Sequence, residues 1–327
     1  MNWQSHITTI CTKANKRLSL LKRASFTFDL ARKDLEILYF SMVRSVLEYA
    51  SVVFCNSTLA QQEEMEQIQH QAALLISRAY KRTHYQDVLK ELCWIKLEKR
   101  RQLQSILIFH KMYFKTAPAY LSDLLIDLKH RRGRFPTRQC HVGDVHLPLT
   151  SSESNYKSFL PNSIRLWNNL DGNVRKVESF FVFKHKLKKA FELPKNKLYS
   201  LSASLGAINH ARMRMGLSAL NNQRFEYDLI DYSTCNCGAP KEDISHFFID
   251  CPRYAAHRTT LLDQLKDIIE LASENTPNLD LREDTLKTFF ISLILYGKDA
   301  LGMKNNIRLF QIVHKYIIDS NRFIVIN

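Results

Sequence analysis

The chain has 327 residues, of which 45% are hydrophobic and 24% are charged, so it can bury a core and is not disordered throughout. It contains only 8 glycines and 8 prolines, too few for the many turns of an all-β fold, and this composition predicts a mainly α protein. The net charge of +15 indicates an anionic partner, with nucleic acid and an anionic membrane as the two main candidates.

The excess positive charge is confined to one part of the chain. Residues 1–200 carry a net charge of +16, whereas residues 201–327 carry −1. The longest apolar runs, such as residues 289–296, are far shorter than the roughly 20 residues that span a bilayer, and the first residues lack the pattern of a secretory signal. Together with an odd number of cysteines, these features predict an intracellular protein without a membrane partner.

Apolar residues spaced three and four apart predict an amphipathic first helix with a basic opposite face. The apolar stripe consists of Ile7, Ile10, Cys11, Ala14, Leu18 and Leu21, and the basic face of Lys13, Lys16, Arg17, Lys22 and Arg23. Asp29 is the predicted N-cap of a second helix that runs to about residue 54. Further helices are predicted at 59–80 and 94–113, and Pro118 is expected to break or restart the helix after them.

The middle of the chain is basic and less regular. Residues 129–134 form a basic run typical of a linker, which contains Arg131, Arg132 and Arg134. Loose alternation over 135–152 predicts one or two short strands, and helices are predicted at 156–170 and 179–191. The last of these has an outward basic face that includes Lys184 and Lys188. We therefore expect a helical bundle at 1–128, a basic connection region at 129–200 and a small helical domain at 201–327.

One segment has the ligand spacing of a metal site. Its pattern is C-x-C-x8-H-x4-C, formed by Cys235, Cys237, His246 and Cys251. Thiolates and an imidazole suit tetrahedral Zn²⁺, and four protein ligands leave no open position for a catalytic water, so the predicted site is structural. Gly238 allows a sharp turn after the second thiol, and Pro252 marks the start of a helix.

Two other interpretations of this segment remain open. The cysteines could be reduced core thiols beside an unrelated histidine, because C-x-C is less diagnostic than C-x2-C. His257, six residues beyond Cys251, could also replace one of the four ligands.

Further motifs accompany the cysteines along nearly the whole chain. They are Asn2-Trp-x-x-His6, Leu47-Glu-Tyr-Ala50, Ile68-Gln-x-x-Ala72, Arg100-Arg, Pro118-x-Tyr-Leu121, Leu166-Trp-Asn168, Arg212-Met-Arg-Met-Gly-Leu-Ser-Ala-Leu-Asn221, Glu242, Arg258 and Ser320-x-Arg-Phe323. Together they resemble the C-terminal part of non-LTR (LINE-like, jockey-type) retrotransposon reverse transcriptases. The resemblance implies a thumb-like bundle at 1–128, a connection region at 129–200 and a zinc-knuckle-like domain at 201–327.

The resemblance also implies that the chain lacks the catalytic half of an RNA-directed DNA polymerase. That family uses palm carboxylates, including an adjacent Asp-Asp pair, to hold two metal ions, and the sequence contains no Asp-Asp dipeptide. The palm is expected before Met1, so we assign no catalytic residue. A nuclear protein or a cytoplasmic ribonucleoprotein component is implied, with RNA, DNA or the missing palm as partners.

Basic residues are the candidates for contacts to the nucleic-acid backbone, which would be sequence-independent and sensitive to salt. They are Lys13, Lys16, Arg17, Lys22, Arg23, Arg131, Arg132, Arg134, Lys184, Lys188, Arg212 and Arg214. For Arg212 and Arg214, an ion pair on a helix surface is an equally good interpretation.

Two other functional classes are compatible with the same sequence. One is an inert truncated relic or a helical interaction module without nucleic-acid binding. The other is nuclease activity in the tail, where Asp280, Glu283 and Asp284 lie close to Lys287. The spacing of these residues also suits an ordinary solvated helix start, where acidic side chains are favoured.

Overall fold

The computed structural model describes residues 3–28, 30–125, 145–191, 199, 204–272 and 284–323. Within these ranges the chain is mainly helical and contains no β-strand, which confirms the prediction of a mainly α protein. No helix in the described part of the chain is both long enough and apolar enough to cross a membrane.

The helices are numbered in chain order, and several are extended by short π- or 3₁₀-helical turns. They are α1 (Gln4–Thr27), α2 (Arg32–Leu38) with a π-helical turn (Tyr39–Arg44), α3 (Ser45–Glu48), α4 (Leu59–Ser77), α5 (Tyr85–Leu92), α6 (Leu97–Tyr113), α7 (Ala119–Ser122) with a 3₁₀ turn (Asp123–Leu125), α8 (Glu153–Tyr156), α9 (Phe159–Asn168), α10 (Gly172–Arg175), α11 (Phe180–Phe191), α12 (Leu205–Arg214), α13 (Asn221–Glu226), α14 (Ala255–Ala272), α15 (Asp284–Tyr296) and α16 (Gly302–Asp319).

The predicted amphipathic first helix is confirmed. All six residues of the predicted apolar stripe of α1 are buried. The helix contains no Asp or Glu, so its exposed side carries only basic and neutral side chains. Burial of one face therefore fixes the direction in which the basic face points.

Several predicted boundaries were wrong because apolar periodicity does not reveal where the backbone leaves the helical region. The second helix ends at Glu48 rather than near residue 54, and Ala50 has a left-handed φ of 51°. Likewise α4 ends at Ser77, and the next residue, Arg78, has a φ of 53°. No strand is present over 145–152. Other predictions fall outside the described residues: the strand region 135–144, the basic residues Arg131, Arg132 and Arg134, and the N-cap Asp29.

The chain forms two compact units, and the first contains residues 1–27, 37–72 and 93–194. An aromatic core holds α6 against α9 and α11, with Phe109, Trp167 and Phe183 fully buried. His110 stacks on Phe183 with ring centroids 4.1 Å apart. Elsewhere in this unit, the hydroxyl of Tyr39 donates to the side chain of Gln69 at 3.0 Å.

The second unit contains residues 28–36, 73–92 and 195–327, so two N-terminal segments belong with the C-terminal third. This differs from the expected linear division at residues 128 and 200, which followed composition along the chain. Helix α12 lies against α16 at Gly206, where an added Cβ would collide with the backbone carbonyl of His314. Only glycine allows the two helices to approach this closely.

Two buried histidines link three helices of the second unit. The Nε2–H group of His210 donates to the carbonyl of Ile294 at 2.9 Å, and Nε2–H of His314 then donates to Nδ1 of His210 at 3.1 Å. Burial, with a smaller contribution from the charge of Arg214, lowers the pKa of His210 well below its usual value and that of His314 to about 4. Both rings are therefore neutral at pH 7.

Acid is expected to destabilise the second unit through this pair. Below pH ~6.5 the histidines of the unfolded chain take up protons, whereas those of the folded chain stay neutral. The free energy of unfolding therefore falls as the pH drops towards the folded pKa values. His314 alone accounts for about 2 kcal/mol of this loss at pH 5. Urea unfolding at pH 7 and pH 5 measures this loss. His314→Gln should reduce the loss, whereas the control His257→Gln, at an exposed position, should leave it unchanged. An equal loss in all three proteins would contradict the assignment.

Candidate metal centre

The cysteine-histidine segment folds locally so that its ligand atoms converge. Gly238 has a φ of 95°, a left-handed conformation, and its N–H donates to the carbonyl of Cys235 at 2.9 Å. The N–H of Cys235 in turn donates to the carbonyl of Ala239 at 2.9 Å. This tight turn brings Cys235 and Cys237 to the same side of the loop, as expected from the glycine in the sequence.

Of the other two ligands, His246 is the first residue of a π-helical turn, His246–Asp250, and Cys251 directly follows that turn. The turn begins where the carboxylate of Asp243 accepts the N–H of His246 at 2.8 Å, and it ends where the N–H of Cys251 donates to the carbonyl of His246 at 2.7 Å. Pro252 then starts a 3₁₀ turn that leads into α14, which confirms the predicted helix entrance.

The distances between the four side chains suit a tetrahedral ion. Their ligand atoms all lie within 4.8 Å of one another. The Sγ atoms of Cys235 and Cys251 are 3.8 Å apart, and Sγ of Cys237 is 3.3 Å from Nε2 of His246. Zn–S bonds of about 2.3 Å and Zn–N bonds of about 2.0 Å imply separations of about 3.8 and 3.5 Å, respectively. The cluster could therefore hold a metal ion, and His257 does not belong to it.

Burial affects the protonation of the thiols. It raises the pKa of the Cys235 thiol to about 12 and also raises the pKa of Cys251, with smaller contributions from the neighbouring thiols. The pKa of Cys237 is lowered, mainly by the hydrogen bond from the backbone N–H of Ala239. Because a metal binds thiolates, its binding at this cluster must release protons from the buried thiols.

A buried carboxylate lies beside the cluster. Glu242 has a side chain only 2% exposed, and its Oε1 lies 3.9 Å from Sγ of Cys235. It accepts the N–H of Asn221 at 2.9 Å and two hydrogen bonds from Arg322, at 2.7 and 2.6 Å. These hydrogen bonds raise the pKa of Arg322. Sequence reasoning assigned neither residue a role, since 80 residues separate the two partners.

Most of the predicted basic residues of α1 and α11 are exposed. Lys13, Lys16 and Arg23 on α1, and Lys184 and Lys188 on α11, are exposed to solvent. Two further residues of α1 also bind neighbouring groups. The guanidinium of Arg17 donates to the carbonyl of Met42 at 2.7 Å, and Nζ of Lys22 donates to the side chain of Gln71 at 3.1 Å.

The two arginines before the cysteines have internal partners instead. Arg214 has a side chain only 4% exposed and forms an ion pair with Glu91 at 2.8 Å. Arg212 donates to the carbonyl of Arg78 at 3.0 Å and lies over the ring of Tyr80, 4.1 Å from its centroid. Both guanidinium groups therefore have partners inside the second unit, and Arg214 forms an ion pair, although this pair is buried rather than on a helix surface.

The acidic residues considered for a nuclease do not form a site in the described part of the chain. Nζ of Lys287 forms an ion pair with Asp250 at 3.1 Å, and Asp284 lies in the first turn of α15. Asp280 and Glu283 lie outside the described residues.

The cluster is the group of candidate metal ligands that the described residues bring together. Three sulfurs and one imidazole nitrogen are the donor set that zinc prefers in closed sites. Neither the family models, nor the curated proteins, nor the solved structures with which the chain was compared contain a match to it.

Proposed function

We propose that this chain binds the backbone of RNA or DNA as the non-catalytic C-terminal part of a non-LTR retrotransposon RNA-directed DNA polymerase. The observation that carries the proposal is the charge of α1 and α11. Neither helix contains an Asp or Glu, and each presents several exposed lysines or arginines from a surface whose other side is buried. Such a surface attracts a polyanion without reading its sequence.

Helix α1 provides the longer basic surface. Lys13 and Lys16 are one turn apart on its exposed side, and Arg23 lies two turns further on. The helix has 24 residues, so at about 1.5 Å per residue it extends for about 36 Å. Successive phosphates of a bound strand can therefore meet successive basic side chains along it.

Helix α11 is shorter but more densely charged. It has 12 residues and carries Lys184, Lys186, Lys188 and Lys189. The buried side chains of Phe183 and Leu187 attach the helix to the aromatic core of the first unit, so its basic side remains outside. In our proposal this helix is a second backbone contact.

A structural zinc ion is the second part of the proposal. The supporting observation is that the four ligand atoms lie within 4.8 Å of one another and that two of their separations, 3.8 and 3.3 Å, are close to those around a tetrahedral zinc ion. Because four protein ligands complete the coordination of zinc, the ion would stabilise the loop rather than activate water. The cofactor would therefore serve the fold of the second unit and not a reaction.

Binding to a labelled single-stranded RNA, measured across a range of salt concentrations, tests the nucleic-acid part. The wild type should bind with an affinity that falls steeply with salt, by about 0.7 log units per tenfold salt for each phosphate contact. The variant K13Q/K16Q/R23Q/K184Q/K188Q should bind at least about tenfold more weakly and with a shallower slope. The control K304Q/K315Q removes two exposed lysines of α16 and should behave like the wild type.

Two results would contradict the proposal. Absence of binding, or binding that does not respond to salt, would favour an inert relic or a helical interaction module. Genomic DNA upstream of the codon for Met1 that encodes no in-frame adjacent Asp-Asp palm would contradict the proposal that the chain is part of a polymerase and would favour a truncated relic.

A further inference from the structure

A polar cleft opens beside the candidate metal centre, within the second unit. Its volume is about 330 Å³, and its walls include Arg224, Arg253 and Arg322 together with Tyr232, Asn236 and Asn321. No Asp or Glu lines the cleft among the described residues. The cleft therefore combines positive charge with neutral hydrogen-bond donors, although residues 201–327 as a whole carry a net charge of −1.

The three arginines of the cleft differ in what they bind. Arg322 is neutralised by its ion pair with buried Glu242. In contrast, the side chains of Arg224 and Arg253 make no hydrogen bond or ion pair within the described part of the chain, and Arg253 is exposed. Two arginines without an internal anion thus line the same small space, which is an arrangement suited to phosphate.

Two residues in or next to the cysteine-histidine segment line this cleft. Asn236 stands between the ligands Cys235 and Cys237, and Arg253 follows Cys251 by two residues. Arg322 also lines the cleft, and its hydrogen bond to Glu242 at 2.6 Å holds it in place. The cluster that we propose to hold zinc therefore helps to position two of the donors of the cleft, Asn236 and Arg253.

We propose that this cleft binds a phosphate of single-stranded nucleic acid and that Tyr232 stacks on the adjoining base. Arg224 and Arg253 supply the charge, and the amides of Asn236 and Asn321 supply further hydrogen bonds. Tyr232 is 54% exposed at the cleft, so its ring is accessible to an unpaired base. The inference rests on the proposed nucleic-acid function and adds to it a contact on the zinc-binding unit that net charge did not predict.

Fluorescence anisotropy with a labelled oligouridine of about 12 nucleotides, within the usual site size, tests the cleft in the full-length protein. The variant R224Q/R253Q should bind about tenfold more weakly and should lower the salt slope by about 1, the value for one or two lost contacts. Y232A should also lose about tenfold in affinity, whereas Y232F should retain it because phenylalanine can still stack. The control K304Q/K315Q should resemble the wild type.

Folding of each variant is checked by its zinc content and its melting temperature, which should match the wild type because neither arginine has an internal partner. Unchanged oligouridine binding by R224Q/R253Q would overturn the proposal that the cleft binds nucleic acid. If only the α1 and α11 variant loses binding, the proposed function remains intact without the cleft. If only R224Q/R253Q loses binding, the result supports the cleft and contradicts the proposed basic surface of α1 and α11.

The same phosphate chemistry could also recognise free phosphate. Inorganic phosphate that raises the melting temperature of the wild type but not of R224Q/R253Q, with no effect of oligouridine, would identify a free-anion site. That result would overturn the proposal of a nucleic-acid strand.

Discussion

Removal of the metal by a strong chelator is expected to abolish the cooperative unfolding transition of the second unit. The ion would join the turn at Gly238 to Cys251, which is 0% exposed and stands at the entrance of α14. Without the ion, the three thiols and the imidazole lie within 4.8 Å of one another and have no metal to coordinate. Structural zinc supplies about 10–16 kcal/mol in small zinc peptides, so the loss should exceed several kcal/mol.

Elemental analysis and calorimetry measure this effect. The purified protein should contain about one zinc per chain, the number that one four-ligand site holds. Cys251→Ser should abolish zinc retention and the cooperative unfolding transition of the second unit. The control Cys55→Ser changes a half-buried thiol of the first unit and should keep both. A metal-free protein whose melting is unchanged by chelator would show that the cysteines are ordinary core thiols.

Glu91→Gln is expected to destabilise the second unit by about 3 kcal/mol, because removing one partner of a buried ion pair leaves an uncompensated charge. The Glu91 carboxylate accepts two hydrogen bonds from Arg214, at 2.9 and 2.8 Å, and one from Arg32 at 3.3 Å. Its side chain is only 2% exposed. Arg214 also lies over the ring of Tyr199, 4.2 Å from its centroid, so it cannot easily turn towards water.

Urea unfolding of Glu91→Gln and of Asp87→Asn gives the comparison. Asp87 pairs with Lys90, whose side chain is 70% exposed, and losing this pair should cost less than about 1 kcal/mol. The double variant E91L/R214M should recover much of the loss, since hydrophobic side chains can replace a buried pair. Equal stability of the two single variants would contradict the role assigned to Glu91.

Local features of this protein were predictable where neighbours in the sequence are neighbours in space. The six buried residues of α1 repeat every three or four positions, so helical geometry alone places them on one side. The four candidate ligands span 17 residues, and a single glycine turn and one helical turn suffice to bring them together. In both cases the chain between the residues is short enough for its own geometry to fix their separation.

Helix ends and side-chain partners were less predictable. Ala50 and Arg78 adopt left-handed conformations that an ordinary side chain rarely takes, so nothing in their identity marked the end of a helix. Arg214 could equally have been a phosphate contact or an ion-pair partner. Its partner Glu91 is 123 residues away in the chain, and only the folded chain distinguishes the two roles.

The sequence by itself determined the helical class, the direction of the basic face of α1 and the identity of the four candidate metal ligands. Each depends on spacing within one helix or one loop. Only the tertiary structure decided that Glu242 is paired with Arg322, that residues 73–92 belong with the C-terminal unit, and that arginines from separate segments share one cleft. These contacts join residues that are far apart in the chain. The packing of the apolar helix faces decides which of them form, and the apolar pattern alone, which many sequences share, does not specify that packing.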